Sequence, residues 1–188
     1  MSASHSAVIS TIGRGFDGLD VSALAQDLGA EFIRLEDFDA TVAAVLAEAP
    51  AAENLVAQGT GDIAFDAEVA AALGLPLAII SGAPQRTGEL AQQNAESLGA
   101  TVAGIFTDLE AVPGALASLG DVTPVMSADL FQKQLIDQAR AAGSHIVLPE
   151  GDDDRILEAA HVVLRDKVAK LTILGNEPDI KARAEELK

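Results

Sequence analysis

Up to residue 126 the chain alternates short apolar runs with Ala-rich stretches of helical character. The apolar runs, residues 7–12, 32–35, 54–57, 77–80, 101–106 and 122–125, have the length of strands and little polar alternation. Strands covered on both faces read this way. Helices are predicted between them at 19–28, 40–49, 66–73, 87–98 and 112–119. Turns carrying Gly29, Pro50, Gly59, Gly74, Pro76, Gly82, Pro84, Gly99 and Gly120 separate the segments. Strands joined through helices lie parallel, with right-handed crossovers and helices on both faces. The fold class expected is therefore α/β, a parallel sheet flanked by helices, followed by a second α/β domain.

The charge distribution marks where the first domain ends. Residues 1–126 hold 17 acidic residues and three basic ones, Arg14, Arg34 and Arg86, whereas residues 127–188 hold 12 acidic and nine basic. The first lysine is Lys133. A boundary is expected at Pro124–Ser127, giving domains 1–126 and 127–188. The net charge of −17 argues against nucleic-acid and anionic-membrane partners, which need clustered cations. No apolar stretch is long enough to span a bilayer, and the first ten residues lack the pattern of a secretory signal. The chain has no Cys, so it has no disulfide and no thiolate ligand, which suits a reducing, cytoplasmic location.

After Pro124 a helix is predicted over 127–142, with Ser127 as its cap and Gly143 as its stop. Then comes HIVLPEGDDDRILEAAHVVLRDKVAKLTILG, residues 145–175. An apolar strand enters a Pro-Glu-Gly turn, an acidic helix start and an amphipathic helix follow, and a second apolar strand ends in Gly175. That is one βαβ unit, and a last helix is expected from Pro178 onward. Three adjacent acids, Asp152, Asp153 and Asp154, suit a helix N-terminus through capping and the macrodipole better than they suit a metal site.

This stretch, from about Val122 to Lys188, resembles the opening of the catalytic domain of phosphate acetyltransferases. In that family a leading helix precedes a strand ending in LPEG, an acidic-Arg helix start and a strand ending in LLG. The resemblance implies transfer of an acetyl group between acetyl phosphate and coenzyme A. Coenzyme A would be a substrate, no cofactor would be tightly bound, and the protein would be a homo-oligomer. It also implies that the phosphate-binding Arg and the catalytic Ser and Asp lie beyond Lys188, so this chain would be an N-terminal part, inactive alone, with its second α/β domain incomplete. Glu150, Gly151, Asp152 and Arg155 would line the substrate cleft.

Residues 54–82 and 98–108 look like the later strands of the dethiobiotin-synthetase-like P-loop domain that precedes the catalytic domain in larger family members. A working P-loop needs a glycine loop, a Lys and a Ser or Thr for magnesium, and no Lys occurs before residue 133. The domain therefore reads as a degenerate P-loop relative. A second reading starts from Gly13, Gly15 and Gly18, a G-x-G-x-x-G turn after the first strand, with Glu36 near the end of the second. Together they fit a dinucleotide-binding module. A third makes the chain a non-catalytic regulatory or oligomerisation domain.

Two further loops follow strands. In Gly59-Thr60-Gly61-Asp62, Asp62 is expected to cap a helix. In the 81–87 loop Thr87 is expected to do so, with Arg86 available to a small anion. Glu158-x-x-His161 has di-iron spacing but lacks the second copy such sites need, so no metal is expected.

Overall fold

The apolar runs of the first 126 residues form a five-stranded parallel sheet in a computed structural model that describes residues 5–186. Its strands are β1 (Ala7–Ile12), β2 (Glu31–Arg34), β3 (Leu55–Gln58), β4 (Leu77–Ser81) and β5 (Val102–Phe106), in the order β2-β3-β1-β4-β5. Five helices, α1 (Val21–Asp27), α2 (Val42–Glu48), α3 (Ile63–Leu73), α4 (Gln85–Ser97) and α5 (Val112–Leu119), connect and cover them.

Strand pleating divides the core in two, because successive side chains point to opposite faces. Ala7 and Ile9 of β1, with Ala78 and Ile80 of β4, pack with Val21 and Leu24 of α1 and with Val112 and Leu116 of α5. Val8, Leu77 and Ile79 face the other way, into a cluster with Val45 of α2, Ala67 and Ala70 of α3, and Ala91 and Ala95 of α4. Small alanines on α3 and α4 let these helices approach the sheet closely. Asp62 caps α3 as expected, accepting from the N–H groups of Ala64 and Phe65, and Gly74 ends it in a left-handed conformation.

Two sequence expectations fail here. Residues 122–125 form no strand. Pro124 instead lies against Gly74, where an added Cβ would meet its ring at 2.6 Å, and the Val125 N–H donates to the Ala71 carbonyl (2.8 Å). Proline lacks the N–H a sheet ladder requires, so the segment uses its apolar groups to cover the α3 end. Nor does Thr87 cap α4: the cap position is Pro84, and Thr87 sits in the first turn.

The chain divides into two compact units, Met1–Leu130 and Phe131–Lys188, with the boundary inside α6 (Ala128–Ala142). The Ser127 hydroxyl caps α6 by accepting from the Leu130 N–H at 3.1 Å. In the second unit, β6 (His145–Leu148) and β7 (Lys170–Ile173) pair in parallel, His145 opposite Lys170 and Leu148 opposite Ile173. Between them runs α7 (Asp154–Arg165), and α8 (Glu177–Glu186) follows β7. Leu157 and Ala160 of α7 are buried, but Ile146 and Val147 of β6 are 45% and 55% exposed. A two-stranded parallel sheet cannot cover both of its faces and edges, which is the environment such sequences are built for.

Candidate functional site

The Pro-Glu-Gly turn after β6 and the glycine turn after β7 meet at the carboxyl end of the small sheet. Gly151 approaches the β7 chain so closely that a Cβ there would lie 2.5 Å from the Leu174 carbonyl oxygen and 2.6 Å from Ile180 Cδ1. Its N–H donates to that same carbonyl at 3.2 Å. Gly175, at φ +152°, has Ile180 Cδ1 2.9 Å from its own Cβ position. Both glycines of the LPEG and ILG segments are therefore required by packing, since neither turn has room for a side chain. Beside them opens a cleft of about 530 Å³, lined by Pro149, Gly151, Asp152, Asp154, Asn176 and Arg183 among others. In open parallel sheets this end is where ligands sit.

Two of the acids around the cleft, Asp153 and Asp154, are held by arginines, while Asp152 has no hydrogen-bond or ion-pair partner among the described residues. Asp153 caps α7 through the Arg155 N–H (2.9 Å) and holds the Arg155 guanidinium with both oxygens (3.1 and 2.6 Å). The Arg155 side chain, then its backbone N–H, holds the Asp153 carboxyl down to about 2. Asp154 pairs in the same two-pronged way with Arg183 of α8 (2.7 and 2.6 Å), which lowers its pKa and raises that of Arg183. The sequence reading did not find this pair, because its members lie 29 residues apart on different helices. It ties the start of α7 to α8 across the cleft mouth.

Of the four predicted lining residues, Gly151 and Asp152 face the cleft. Glu150, Asp152 and Arg155 line a shallower hollow beside it, together with Asp153 and Asp154. Both arginines here are already neutralised by aspartates. This surface offers a phosphorylated ligand more repulsion than attraction.

The motifs of the first unit are placed apart. Gly13, at φ +68°, turns the chain where a Cβ would strike Ala83 at 2.6 Å, so it serves contact between the turns after β1 and β4. Gly15 and Gly18 face open space. In the dinucleotide fold β2 flanks β1, which brings its terminal acid beside the glycine turn. Here β3 lies between them, and Glu36 sits two strands, roughly 10 Å, to one side. The start of α1 is also occupied: the Asp20 carboxylate accepts from the Ala23 N–H at 2.9 Å, and its pKa is lowered by that bond and by Ser22. A negative charge already stands where a pyrophosphate would need to sit.

The Arg14 guanidinium is spent on the carbonyls of Gly15, Asp17 and Thr107, clamping the turn after β1 to that after β5. Arg86 is exposed on the first turn of α4. Glu158 and His161 are exposed on α7, and among the described residues no cluster of three His, Asp or Glu side chains could hold a metal ion. No helix among the described residues is long and apolar enough to cross a membrane.

Comparison with known proteins falls on the second unit. The family model for phosphate acetyl/butaryl transferase matches residues 130–188. A phosphate acetyltransferase of Corynebacterium glutamicum is 60% identical over 62 residues, 33% of this chain and 19% of the relative. Those of Acetivibrio thermocellus and Escherichia coli K12 are 39% and 42% identical over 54 and 55 residues, each covering 29% of this chain and 16% and 8% of the relative. No solved structure matches significantly. The chain thus spans a fifth or less of the length of these relatives, and it is its C-terminal third, the βαβ unit with the Gly151 and Gly175 turns, that is similar to phosphate acetyltransferases.

Proposed function

We propose that this chain is the N-terminal part of a phosphate acetyltransferase, in which the second unit forms the opening of the acetyl-transferring domain. The observation that carries the reading is the coincidence of the family match, residues 130–188, with the unit holding β6, α7 and β7. In the reaction a coenzyme A thiolate attacks the acyl carbon of acetyl phosphate. A carbon–sulfur bond forms, the carbon–oxygen bond to phosphate breaks, and the thiol proton passes to a base. That chemistry needs a cationic phosphate anchor, donors for the acyl oxygen and a base for the thiol. Around the cleft beside Gly151 both arginines are already bound by aspartates, and the unpaired Asp152 adds a carboxylate without a cationic phosphate anchor. This supports a framing role for Glu150, Gly151, Asp152 and Arg155, with the remaining reacting groups supplied by the rest of the domain.

The first unit is read as a degenerate P-loop-like regulatory domain. In support, a glycine turn follows the central strand β1, while the first unit contains no Lys, the first in the chain being Lys133. Against the dinucleotide-binding alternative stand the intervening β3 and the carboxylate at the head of α1. The full enzyme would act in the cytoplasm as a homo-oligomer, taking coenzyme A and acetyl phosphate as substrates without a resident cofactor. The test is coenzyme A acetylation by the purified 188-residue chain. No turnover above background is expected, and turnover near that of a full-length relative would place the reacting groups within this chain.

A further inference from the structure

The first unit buries one carboxyl group completely: Asp66, in the first turn of α3, has no exposed surface. Four donors converge on it. Its Oδ1 accepts from the Thr60 N–H (2.8 Å) and the Thr60 hydroxyl (3.0 Å), and its Oδ2 accepts from the Ser10 hydroxyl (2.5 Å) and the Gly61 N–H (3.2 Å). Gly59 passes directly over it, since a Cβ there would lie 2.3 Å from Oδ2. The loop after β3 is thus folded around a side chain that reaches up from beneath it.

We propose that Asp66 is a proton-operated latch for the Gly59–Asp62 loop, fully fastened when the carboxyl is ionised and partly released when it takes up a proton. An ionised carboxylate can accept all four bonds. A proton on Oδ2 turns that oxygen from acceptor into donor, so the Ser10 hydroxyl, 2.5 Å away, loses its charge-assisted bond to a carboxylate. The weakest partner, the Gly61 N–H at 3.2 Å, then loses the charge that held it, while the two Thr60 bonds to Oδ1 remain. Gly61 is at φ +86°, and an added Cβ there would meet only the Thr11 hydroxyl at 3.4 Å, so the turn is not wedged in place by packing. The same loop walls a hollow of about 490 Å³ through Thr60 and Asp62, opposite Leu35, Glu36 and Phe38. Proton uptake therefore loosens one side of that hollow.

The charge environment leaves the titration to burial and hydrogen bonding. Strands β1 and β4 carry no titratable side chain. Outside the carboxyl itself, α3 and its cap carry Glu68 and Asp62, α2 carries Glu48, and α4 carries Arg86, Glu89 and Glu96, all of them exposed. None contributes to the shift in Asp66, which is upward, caused first by burial and opposed by the bonds from Ser10, Thr60 and Gly61. With the folded-state value raised, the folded state holds its proton more tightly than the unfolded chain does. The contribution of this group to stability is then present below the ordinary carboxylate value and lost as pH rises through the folded value.

The experiment follows the backbone amide signals of Thr60 and Gly61 in the whole chain across pH 3.5 to 8. A single midpoint above the ordinary carboxylate value is expected at both, with the protection of the Gly61 amide, measured against its intrinsic exchange rate at each pH, rising at least tenfold on the basic side. Ser10→Ala should move the midpoint upward, because it removes a bond that favours the ionised form. Asp66→Asn should abolish the titration. The proposal is overturned by pH-independent amides in the wild type, by a midpoint unmoved in Ser10→Ala, or by a titration that survives Asp66→Asn. Should Asp66→Asn fail to fold, the Ser10→Ala shift decides alone.

Discussion

Replacing Gly151 by Ala adds one methyl group at the point where the turns after β6 and β7 touch. That methyl would lie 2.5 Å from the Leu174 carbonyl oxygen, 2.6 Å from Ile180 Cδ1 and 2.9 Å from Ile173 Cγ2. The Ile180 side chain can rotate away, but the carbonyl belongs to the backbone just after β7 and cannot. Forced separation of the two turns lengthens the Gly151–Leu174 hydrogen bond, already 3.2 Å. Losing it costs about 1 kcal/mol, and overpacking of this kind adds about 1–3 kcal/mol. Together, about 2–4 kcal/mol would raise the open population of the second unit some 30- to 700-fold. This unit has little reserve: among its described large side chains Leu157 is buried, while Ile146, Val147, Val162, Leu164 and Leu174 are each 45–55% exposed. Hydrogen exchange resolved by residue should show amides of β6, α7 and β7 exchanging faster in Gly151→Ala, with β1 and β4 unchanged. Gly114→Ala, whose methyl meets nothing within 4 Å, is the control. Equal exchange in Gly151→Ala and the wild type would refute the claim that this glycine is required by packing.

Two further outcomes are expected. The Asp153 carboxyl should titrate at about 2 and move toward the ordinary carboxylate range in Arg155→Ala, as followed by carboxyl carbon chemical shifts. Its value is depressed in the folded state, so its stabilising contribution is present above the unfolded value near 3.8 and fades as pH falls toward 2. Titration calorimetry should detect no micromolar binding of ATP or NAD to this chain. NAD affinity abolished by Gly15→Val would instead restore the dinucleotide reading of Gly13, Gly15, Gly18 and Glu36.

The parallel strands were legible because burial on both faces writes itself as short apolar runs, and the turns because Gly29, Gly74 and Gly120 adopt backbone angles that favour glycine. Strand order was not, since periodicity records what each strand faces and not which strand lies beside it. The separation of Glu36 from the Gly13 turn by β3 therefore appears only in three dimensions. Residues 122–125 misled because their apolar content matches a strand, while Pro124 withholds the donor that strand pairing needs. Asp66 carried a signal that went unused: it is an acid in the otherwise apolar run at 63–67, where a solvated residue would break the buried face. The Asp154–Arg183 pair carried none, as nothing local links two charges on separate helices.

The central claim is that residues 130–188 form the opening of a phosphate acetyltransferase domain. The most direct measurement replaces the matching segment of the Corynebacterium glutamicum enzyme with residues 130–188 of this chain and follows acetyl-CoA formation from acetyl phosphate. The account predicts a folded chimera with turnover within about tenfold of the parent, because a segment 60% identical over 62 residues should carry the same packing. A chimera that folds and assembles like the parent yet makes no acetyl-CoA would contradict it.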